Sequence, residues 1–464
     1  MKIVHIIERF SSAGPERALI AAAKYAAQLG LTQEHLVCTL EKSGSPAAVI
    51  MARQAGVRVL LGPDPALRTE LLAQADIVLI HFWNNPALWT FLRSPLPPLR
   101  LAIWLKIFGS HPPQVVPRPL LDFVDAVAAT TPGTLHLPEL AGRAAATPVI
   151  FAPADFARLE GFTPQPHAGF NVGIISGSLD PTKLHPAFVA MSAVVDVPEV
   201  RFIVCGGGGE QLQRQAEALA AADRFDFRGY VEDIRGVLAV CDVFGYPLSP
   251  QTYATSEKAL QEAMWAGVPP VVFPHAGVRY LVEDGVTGLV VASEAEYTAA
   301  IEWLYHHPGE RSRLGRNAQE YARRAFAPQP AVGQLAGLFA GLMTRPKRLR
   351  TWPADGDTPA AWFIAALGDH AGPFAISYAD GPGPARDAAE AEIAAASDLL
   401  LHSEGGIIHY RNHWPADAHL RLWTGLALAH RGETERAAQE LQAAAALGVT
   451  RPRSTRWPGE EVQA

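Results

Sequence analysis

Short runs of β-forming residues alternate with helical stretches through the first third of the chain. The runs are residues 2–7, 35–40, 57–61, 77–81, 99–104 and 126–129, and a typical helical stretch between them is residues 16–29. Strands that alternate with helices form a parallel sheet that is covered by helices on both faces. The sequence therefore predicts an α/β fold that begins with a doubly wound, Rossmann-like sheet.

The same alternation occurs a second time after a proline-rich stretch at residues 162–169. The second series of runs is residues 171–175, 200–205, 224–227, 240–246, 269–273 and 288–291. The sequence therefore predicts two tandem Rossmann-like domains, an N-terminal one at residues 1–165 and a second one at residues 166–343. Because ligands of open α/β sheets bind beyond the carboxyl ends of the strands, we expect the chemistry in a cleft between the two domains.

Beyond residue 326 the alternation fades and helical periodicity takes its place. Residues 345–350 form a basic, hinge-like segment, and residues 420–447 resemble a single tetratricopeptide-type hairpin. A single repeat lacks the neighbours that would bury its apolar face. We therefore expect a mainly helical appendage at residues 347–464 that packs on the Rossmann-like domains or recruits a protein partner.

The composition is typical of a soluble globular protein and excludes a general affinity for nucleic acid. Apolar residues make up 49% of the 464 residues and charged residues 18%, and the formal net charge is −7. Cys38, Cys205 and Cys241 have neither disulfide nor metal-ligand spacing. We expect reduced thiols, a cytoplasmic location and no nucleic-acid partner, and peripheral contact at the inner membrane face is left open.

A glycine-rich turn in the second domain is a candidate for contacts made by the backbone. Gly206, Gly207 and Gly208 come directly after the run at residues 200–205 and open into a helical stretch. Glycines let the amides at a helix N-terminus approach a phosphate or a ribose, although a tight turn without a ligand is the alternative. Backbone groups near Tyr230 and Val231 are candidates for reading the edge of a base.

Lys183 follows the first run of the second domain, in a segment that begins at Gly177. An ammonium group at the mouth of the cleft neutralises a diphosphate as it leaves, which is electrostatic catalysis. Lys183 is therefore a candidate catalytic residue, and a solvated surface lysine is the alternative.

A predicted helix begins near Thr255 and Ser256 and leads into the run at residues 269–273. Hydroxyls and free amides at a helix start hold a phosphate, because the helix dipole favours anions there. Glu262 lies about two turns into the helix and can present its carboxylate to ribose hydroxyls. Ordinary capping is the alternative for the two hydroxyls, and a favourable first-turn charge is the alternative for Glu257.

In their order along the chain, these motifs resemble the nucleotide half of glycosyltransferase family 4. They are Gly-x-Leu-x-x-x-Lys at residues 177–183, Phe-x-Gly-Tyr-Val at residues 227–231 and Glu-Ala-Met-x-Ala-Gly-Val-Pro at residues 262–269. The similarity covers about residues 170–325 and is looser in the first domain. The family implies a GT-B fold and an α-retaining transferase that uses an activated sugar donor without an obligatory metal.

The resemblance also points to residues of the first domain. Many relatives have a histidine near the acceptor in the loop after the run at residues 99–104, and Lys106 and His111 lie in that loop here. Gly14 stands before the first helix, where the family has a pair of glycines. We expect Lys106 and His111 to act in catalysis and Gly14 to lie near the donor.

Two positions depart from the family pattern. The family commonly has arginine where this chain has Ser178, so one cation for the diphosphate is missing. The first acid of the family's paired-glutamate motif falls at Ala254 in this chain. We therefore expect Thr255, Ser256 or Glu257 to contact the donor sugar.

Together these features predict transfer of a hexose-type residue from a nucleoside diphosphate sugar to a glycan or lipid-linked acceptor, in surface polysaccharide synthesis. No metal and no cofactor besides the donor substrate are expected, because no Asp-x-Asp motif ends a predicted strand. A sugar-nucleotide epimerase shares the double Rossmann layout but needs acid and base groups on both sides of the sugar. Ser178 and Ala254 suggest a third hypothesis, a degenerate and non-catalytic binding module.

Overall fold

The computed structural model describes residues 1–179, 183–353, 356–379, 381 and 383–449. The chain divides into two compact units. Unit 1 consists of Met1–His81, Arg100–Phe108 and Ala126–Pro346, and unit 2 consists of Phe82–Leu99, Gly109–Asp125 and the chain from Lys347 onward. Unit 2 therefore joins the predicted appendage to two segments of the first predicted domain. Unit 2 resumes at Lys347, which is also the predicted start of the appendage. The predicted boundary between the two Rossmann-like domains, near residue 165, lies inside unit 1 and stays a prediction.

Fourteen strands occur in the described residues, and twelve of them belong to two six-stranded sheets. Their bounds are β1 (Lys2–Ile7), β2 (Glu34–Thr39), β3 (Val57–Leu60), β4 (Ile77–Phe82), β5 (Leu101–Leu105), β6 (Ser110–His111), β7 (Gln114–Val115), β8 (Ala126–Ala129), β9 (Phe170–Ser178), β10 (Val200–Gly207), β11 (Phe225–Gly229), β12 (Val243–Tyr246), β13 (Pro270–Val272) and β14 (Leu289–Val290).

Nineteen α-helices occur in the same described residues, and none of them is long and apolar enough to cross a membrane. Their bounds are α1 (Gly14–Gln28), α2 (Pro46–Gln54), α3 (Pro65–Gln74), α4 (Pro86–Arg93), α5 (Arg118–Phe123), α6 (Phe188–Ala193), α7 (Glu210–Ala218), α8 (Ile234–Leu238), α9 (Lys258–Trp265), α10 (Glu294–His306), α11 (Pro308–Ala325), α12 (Pro328–Met343), α13 (Pro359–Leu367), α14 (Gly372–Ala379), α15 (Pro384–Ala394), α16 (Asp398–His402), α17 (Ile407–His413), α18 (Ala418–His430) and α19 (Thr434–Ala446).

Both large sheets have the strand order of a doubly wound fold. The first runs β3-β2-β1-β4-β5-β8 and the second runs β11-β10-β9-β12-β13-β14. β1 pairs in parallel with β2 and β4, and β9 pairs in parallel with β10 and β12. The order reverses at β1 and at β9, and ligands of such sheets bind beyond the carboxyl ends of the strands at this point. The segments that follow β9 and β12 are therefore the expected place for a site in the second sheet.

The central strands β1 and β9 are mainly apolar because helices cover both faces of each sheet. Ile3 and Val4 of β1 are fully buried, as are Val172 and Ile174 of β9. Burial of each such side chain stabilises the fold by about 1.5–3 kcal/mol relative to its exposure to water. This burial pattern fixes each strand in the interior of its sheet.

Helix α12 follows the second sheet in sequence but packs on the first. Val332, Leu335 and Phe339 of α12 belong to one buried cluster with Ile3 of β1 and Leu79 of β4. The same helix contacts α1. The two sheets of unit 1 are therefore tied together by a helix that crosses from one to the other.

Unit 2 is mainly helical, and α18 and α19 form the predicted hairpin. Gly425 of α18 lies so close to Leu441 of α19 that a Cβ atom at Gly425 would clash with the leucine side chain. Trp423 of α18 is fully buried and contacts Phe363 and Phe374. Helix α17 contacts both α18 and α4, so the C-terminal helices pack on a helix from the first third of the chain.

Candidate functional site

The segments that follow β9 and β12 are joined to each other at the switch point of the second sheet. The amide of Ser249 donates to the carbonyl of Lys183 at 2.8 Å, and the amide of His185 donates to the carbonyl of Pro247 at 2.9 Å. Leu184 and Leu248 form an antiparallel bridge between these contacts. The backbone from Lys183 to His185 is therefore fixed beside the segment that follows β12, at the expected end of the sheet.

Lys183 forms an ion pair with Glu257, with 3.1 Å between Nζ and Oε2. The Tyr246 hydroxyl at the end of β12 donates to the same carboxylate oxygen. Burial alone would lower the pKa of Lys183, but the Glu257 carboxylate raises it above its ordinary value. Burial alone would raise the pKa of Glu257, but the Lys183 ammonium lowers it. The pair is therefore charged, and the lysine already has a counter-ion within the chain.

Glu257 has a left-handed backbone, with φ of 30°, at the residue before α9. A residue other than glycine in this region is strained by about 1–3 kcal/mol and persists where its surroundings hold it. Its side chain does not cap α9. The contacts with Lys183 and Tyr246 hold the carboxylate instead, so this residue is positioned by the site and not by the helix. Sequence reasoning predicted that Glu257 contacts the donor sugar, with a first-turn charge as the alternative, and missed this pairing. The predicted donor contact stays a prediction.

Thr255 and Ser256 are buried where the two sheets of unit 1 meet, and their hydroxyls bond to residues of the first half of unit 1. Ser256 Oγ accepts from the amide of Ala152 at 3.1 Å, and Thr255 Oγ1 donates to the carbonyl of Lys106 at 3.3 Å. These bonds hold the start of α9 against the first half of unit 1. Both hydroxyls are used in these hydrogen bonds in the described structure. Their role as phosphate ligands stays a prediction.

Glu262 is buried inside α9, and its carboxylate forms an ion pair with Arg158. Arg158 lies in the segment that connects the two halves of unit 1, and its position was not predicted from the sequence. The predicted contact of Glu262 with a ribose stays a prediction. In this structure the carboxylate is paired with the Arg158 guanidinium group, and the Arg158 side chain is 29% exposed.

The predicted glycine turn is present between β10 and α7. Gly206 has φ of 153° and Gly208 has φ of 79°, which are conformations that residues with side chains rarely adopt. A Cβ atom at Gly206 would lie 2.4 Å from the carbonyl oxygen of Ser176, whereas Gly177 and Gly208 have open space around them. Gly207 accepts a hydrogen bond from the amide of Leu179. The turn therefore lies beside the end of β9.

Tyr230 and Val231 follow β11, the edge strand of the second sheet. Tyr230 is 72% exposed, and Gly229 before it has φ of 63°. Gly14 begins α1 in the first half of unit 1 and has no atom within 4 Å of the position of a Cβ. Tyr230 and Gly14 thus leave room for a ligand, and their assignment to the donor stays a prediction.

The two predicted acceptor-side residues fall in different units. Lys106 belongs to unit 1 and is buried, with Nζ over the ring of Trp104. Burial, and then the charge of Lys258, lowers the pKa of Lys106 well below its ordinary value. His111 belongs to unit 2, where it pairs with Gln114 in the short β6-β7 hairpin. Burial, and then the charge of His370, lowers the pKa of His111.

The family model described as "Glycosyl transferases group 1" matches residues 171–307, which carry the second sheet and the Lys183–Glu257 pair. D-rhamnosyltransferase WbpZ of Pseudomonas aeruginosa is 30% identical over 131 residues, 27% of this chain and 34% of that protein. Alpha-D-kanosaminyltransferase of Streptomyces kanamyceticus is 27% identical over 147 residues, 30% of this chain and 37% of that protein. The matches thus span only about a third of the length of these relatives.

Solved structures match about three quarters of the chain. The structure of Anabaena Alr3699/HepE in complex with UDP-glucose has a TM-score of 0.59 and 22% identity, and the match covers 74% of this chain and 100% of that one. The chain has the GT-B fold. A glycosyltransferase from Rickettsia africae has the same arrangement, with a TM-score of 0.58, 11% identity and coverage of 74% of this chain and 99% of that one. The predicted fold class is confirmed, and the family model and the relatives support the prediction of a transferase enzyme.

Proposed function

We propose that this GT-B protein is a retaining glycosyltransferase that moves a hexose-type residue from a nucleoside diphosphate sugar to a glycan or lipid-linked acceptor. The Lys183–Glu257 pair at the switch point of the second sheet carries this proposal. A fixed, charged lysine at the end of β9 is suited to a diphosphate leaving group, because it is already positioned where negative charge develops.

In the proposed reaction, the bond between the sugar C1 atom and the diphosphate oxygen breaks, and its electron pair leaves with the diphosphate. The acceptor hydroxyl bonds to C1 on the face that the diphosphate leaves, and its proton passes to the departing diphosphate oxygen. Lys183 stabilises the charge on the departing diphosphate, and the amides at the N-termini of α7 and α9 add to this stabilisation. We assign Lys106 to the acceptor side, and the same role for His111 stays a prediction from the sequence.

The names of the similar proteins support the donor and the biological role. Two structures of Alr3699/HepE contain UDP or UDP-glucose. One curated relative is the lipopolysaccharide core biosynthesis glycosyltransferase LpsE of Rhizobium meliloti, 27% identical over 154 residues, 32% of this chain and 44% of that protein. We therefore propose a role in surface polysaccharide synthesis. Retention of configuration and membership of family 4 follow the resemblance seen in the sequence.

A thermal-shift panel of UDP-, GDP- and dTDP-sugars, followed by a hydrolysis assay without acceptor, tests the proposal. A sugar nucleotide that raises the melting temperature and slowly releases nucleoside diphosphate supports a transferase. Binding without release would instead indicate the degenerate binding module. Conversion to a second sugar nucleotide without release would indicate an epimerase. Once an acceptor is found, NMR of the product's anomeric centre tests retention.

A further inference from the structure

Residues 155–161 form a linker that is bound to both halves of unit 1. Asp155 at its start pairs with the ammonium group of Lys24 in α1, at 2.6 Å. Near its end, the guanidinium group of Arg235 in α8 donates to the carbonyl of Glu160 at 2.7 Å. The linker is therefore fixed to a helix of the first half at one end and to a helix of the second half at the other.

The middle of the linker packs on α9. Phe156 is buried, and its ring stacks on that of Trp265 in α9, with 4.0 Å between the ring centroids and 2° between the ring planes. Leu159 is buried as well, in the core cluster of the second sheet. Arg158 stands between these two apolar residues in sequence and pairs with Glu262 of α9. The packing of its neighbours therefore holds the arginine beside this carboxylate.

The ion pair uses only part of the guanidinium group. Nη2 of Arg158 donates to Oε1 of Glu262, whereas Nε of Arg158 is buried and has no hydrogen-bond partner among the described residues. A buried donor without a partner costs about 1–3 kcal/mol, which a bidentate pair would avoid. Because the Arg158 side chain is 29% exposed, water can solvate the guanidinium group after it leaves the carboxylate. A ligand that hydrogen-bonds to Glu262 can therefore displace the arginine.

We propose that Arg158 competes with the ribose of a nucleotide for Glu262, and that this ion pair is an autoinhibitory latch. The inference rests on the proposed function, because it takes the ribose of the donor to be the ligand of Glu262. When a ligand must displace the arginine, its apparent dissociation constant is the intrinsic constant divided by the fraction of protein in which the latch is open. The latch therefore weakens nucleotide binding and couples it to a movement of the linker.

Calorimetry with UDP, GDP and dTDP on the full chain tests the latch. We expect Arg158→Met to bind the preferred nucleotide about fivefold more tightly than the wild type, because no arginine has to be displaced. An arginine that attracts the diphosphate, or that orients Glu262 for the ribose, would give weaker binding when it is removed, so the sign of the change decides. Arg313→Met removes the same charge from an exposed pair with Glu310 and is the matched control.

Two further titrations locate the effect at the ribose contact. Inorganic pyrophosphate has no ribose, so Arg158→Met should not bind it more tightly than the wild type does. In a protein that already carries Glu262→Gln, adding Arg158→Met should change nucleotide affinity by less than about twofold, because the two residues act through one contact. Asp155→Asn loosens the linker from Lys24 and should also tighten nucleotide binding, which provides a second variant if Arg158→Met does not fold.

The outcomes separate the latch from the proposed function. Equal or weaker nucleotide binding by Arg158→Met, or an equal gain for pyrophosphate, would overturn the latch and leave glycosyl transfer standing. Tighter nucleotide binding without donor hydrolysis would support the latch and contradict the transferase. If neither the wild type nor Arg158→Met binds any of the three nucleotides, both proposals are wrong.

Discussion

The Glu257 carboxylate forms an ion pair with the Lys183 ammonium group, with 3.1 Å between Oε2 and Nζ. The pair lies where a leaving diphosphate is proposed to bind. The lysine is 23% exposed and the carboxylate 10% exposed, so water screens the pair only partly. A diphosphate must therefore share the lysine with Glu257 or displace the carboxylate from it. The left-handed backbone of Glu257 adds strain that a rearrangement of this residue would release.

Lys183→Ala is expected to lower turnover by about 100-fold, the size of effect seen when one group that stabilises a leaving charge is removed. The effect on the Michaelis constant should be smaller, because the lysine acts chiefly as the leaving group departs. Steady-state kinetics of donor hydrolysis measures both constants, and Lys183→Arg serves as the charge-retaining control. A raised Michaelis constant with normal turnover would contradict this role.

Glu257→Gln is expected to tighten the binding of a nucleoside diphosphate by about 1 kcal/mol, or about fivefold, because a negative charge beside Lys183 is removed. Glutamine keeps an oxygen that accepts from the Tyr246 hydroxyl, so the local structure should persist. Calorimetry with UDP measures the change. Weaker binding in this variant would mean that the carboxylate contributes to the ligand site instead of competing with the ligand.

Glu262→Gln is expected to act in the opposite sense and to weaken the same binding by about 1–3 kcal/mol. The physical reason is the loss of a charge-assisted bond to a ribose, while α9 persists. Arg158 now competes for this carboxylate, so Arg158→Met is the informative partner variant. If affinity is unchanged in Glu262→Gln, the residue serves only the ion pair with Arg158.

The fold could be predicted from the sequence because its signals are local. Each strand is a short apolar run, and the turn after β10 needs glycine at residues 206 and 208 for their backbone conformations. Lys183 could be predicted as well, because the position after the first strand of a doubly wound sheet is fixed by topology. These predictions needed no knowledge of how distant segments meet.

The pairings within the site could not be predicted, because they depend on contacts between distant segments. Arg158 lies in a linker, and only the folded junction of the two sheets places it on Glu262. The set of segments that forms unit 2 could not be predicted either, for the same reason. Residues 82–99 and 109–125 belong to the first predicted domain, and His111 among them is predicted to act in catalysis, yet both segments join the C-terminal helices. The sequence therefore predicted an appendage but not the segments to which it is bound.

Three buried histidines in the first sheet predict an acid-sensitive stability. His5 Nδ1 lies 3.0 Å from His81 Nε2, and His5 Nε2 lies 3.0 Å from His35 Nδ1. Burial lowers the pKa of His35 to about 4 and lowers the pKa of His5 and His81 well below the ordinary value. Below pH 6.5 the unfolded chain therefore binds more protons at these residues, and the free energy of unfolding falls as the pH decreases.

His35→Gln should reduce this dependence by up to about 1.4 kcal/mol per pH unit between pH 6.5 and 4. Urea denaturation at pH 7, 6 and 5 measures it. Glu8 acts in the opposite direction, because burial raises its pKa to about 7 and its stabilising contribution is lost as the pH rises through that value. The test is therefore the difference in the free energy of unfolding between the variant and the wild type at each pH. If the free energies of unfolding of the two proteins change in parallel with pH, His35 takes up its proton in the folded state as readily as in the unfolded chain, which would contradict the prediction.

Truncation after Pro346 is expected to destabilise the protein, because it removes the partners of residues 82–99 and 109–125 in unit 2. Asn84 is fully buried and accepts from Trp89 Nε1 at 2.7 Å and from the Tyr410 hydroxyl at 3.3 Å. Gln114 Nε2 donates to the carbonyl of Glu404. The truncated chain would lack Tyr410 and Glu404 and would expose Asn84 and Gln114 without these two partners, so we expect a lower melting temperature and aggregation.

A point variant separates stability from function more finely than the truncation does. Arg350 is 5% exposed and is paired with Asp125 at 2.7 Å, and Arg348 pairs with the same carboxylate at 3.5 Å. Arg350→Met should therefore lower the free energy of unfolding by about 1.5–3 kcal/mol, because a charge-assisted hydrogen bond of a buried guanidinium is lost while Arg348 remains. Arg436→Met, at an exposed pair with Glu433, is the matched control and should change it by at most about 1 kcal/mol. Urea denaturation measures both variants, and UDP affinity should be unchanged in any protein that remains folded.

If the truncated chain folds and binds UDP normally but fails on the native acceptor, the C-terminal helices form an acceptor or partner surface. If it folds but binds no UDP, the nucleotide site has been placed in the wrong part of the chain.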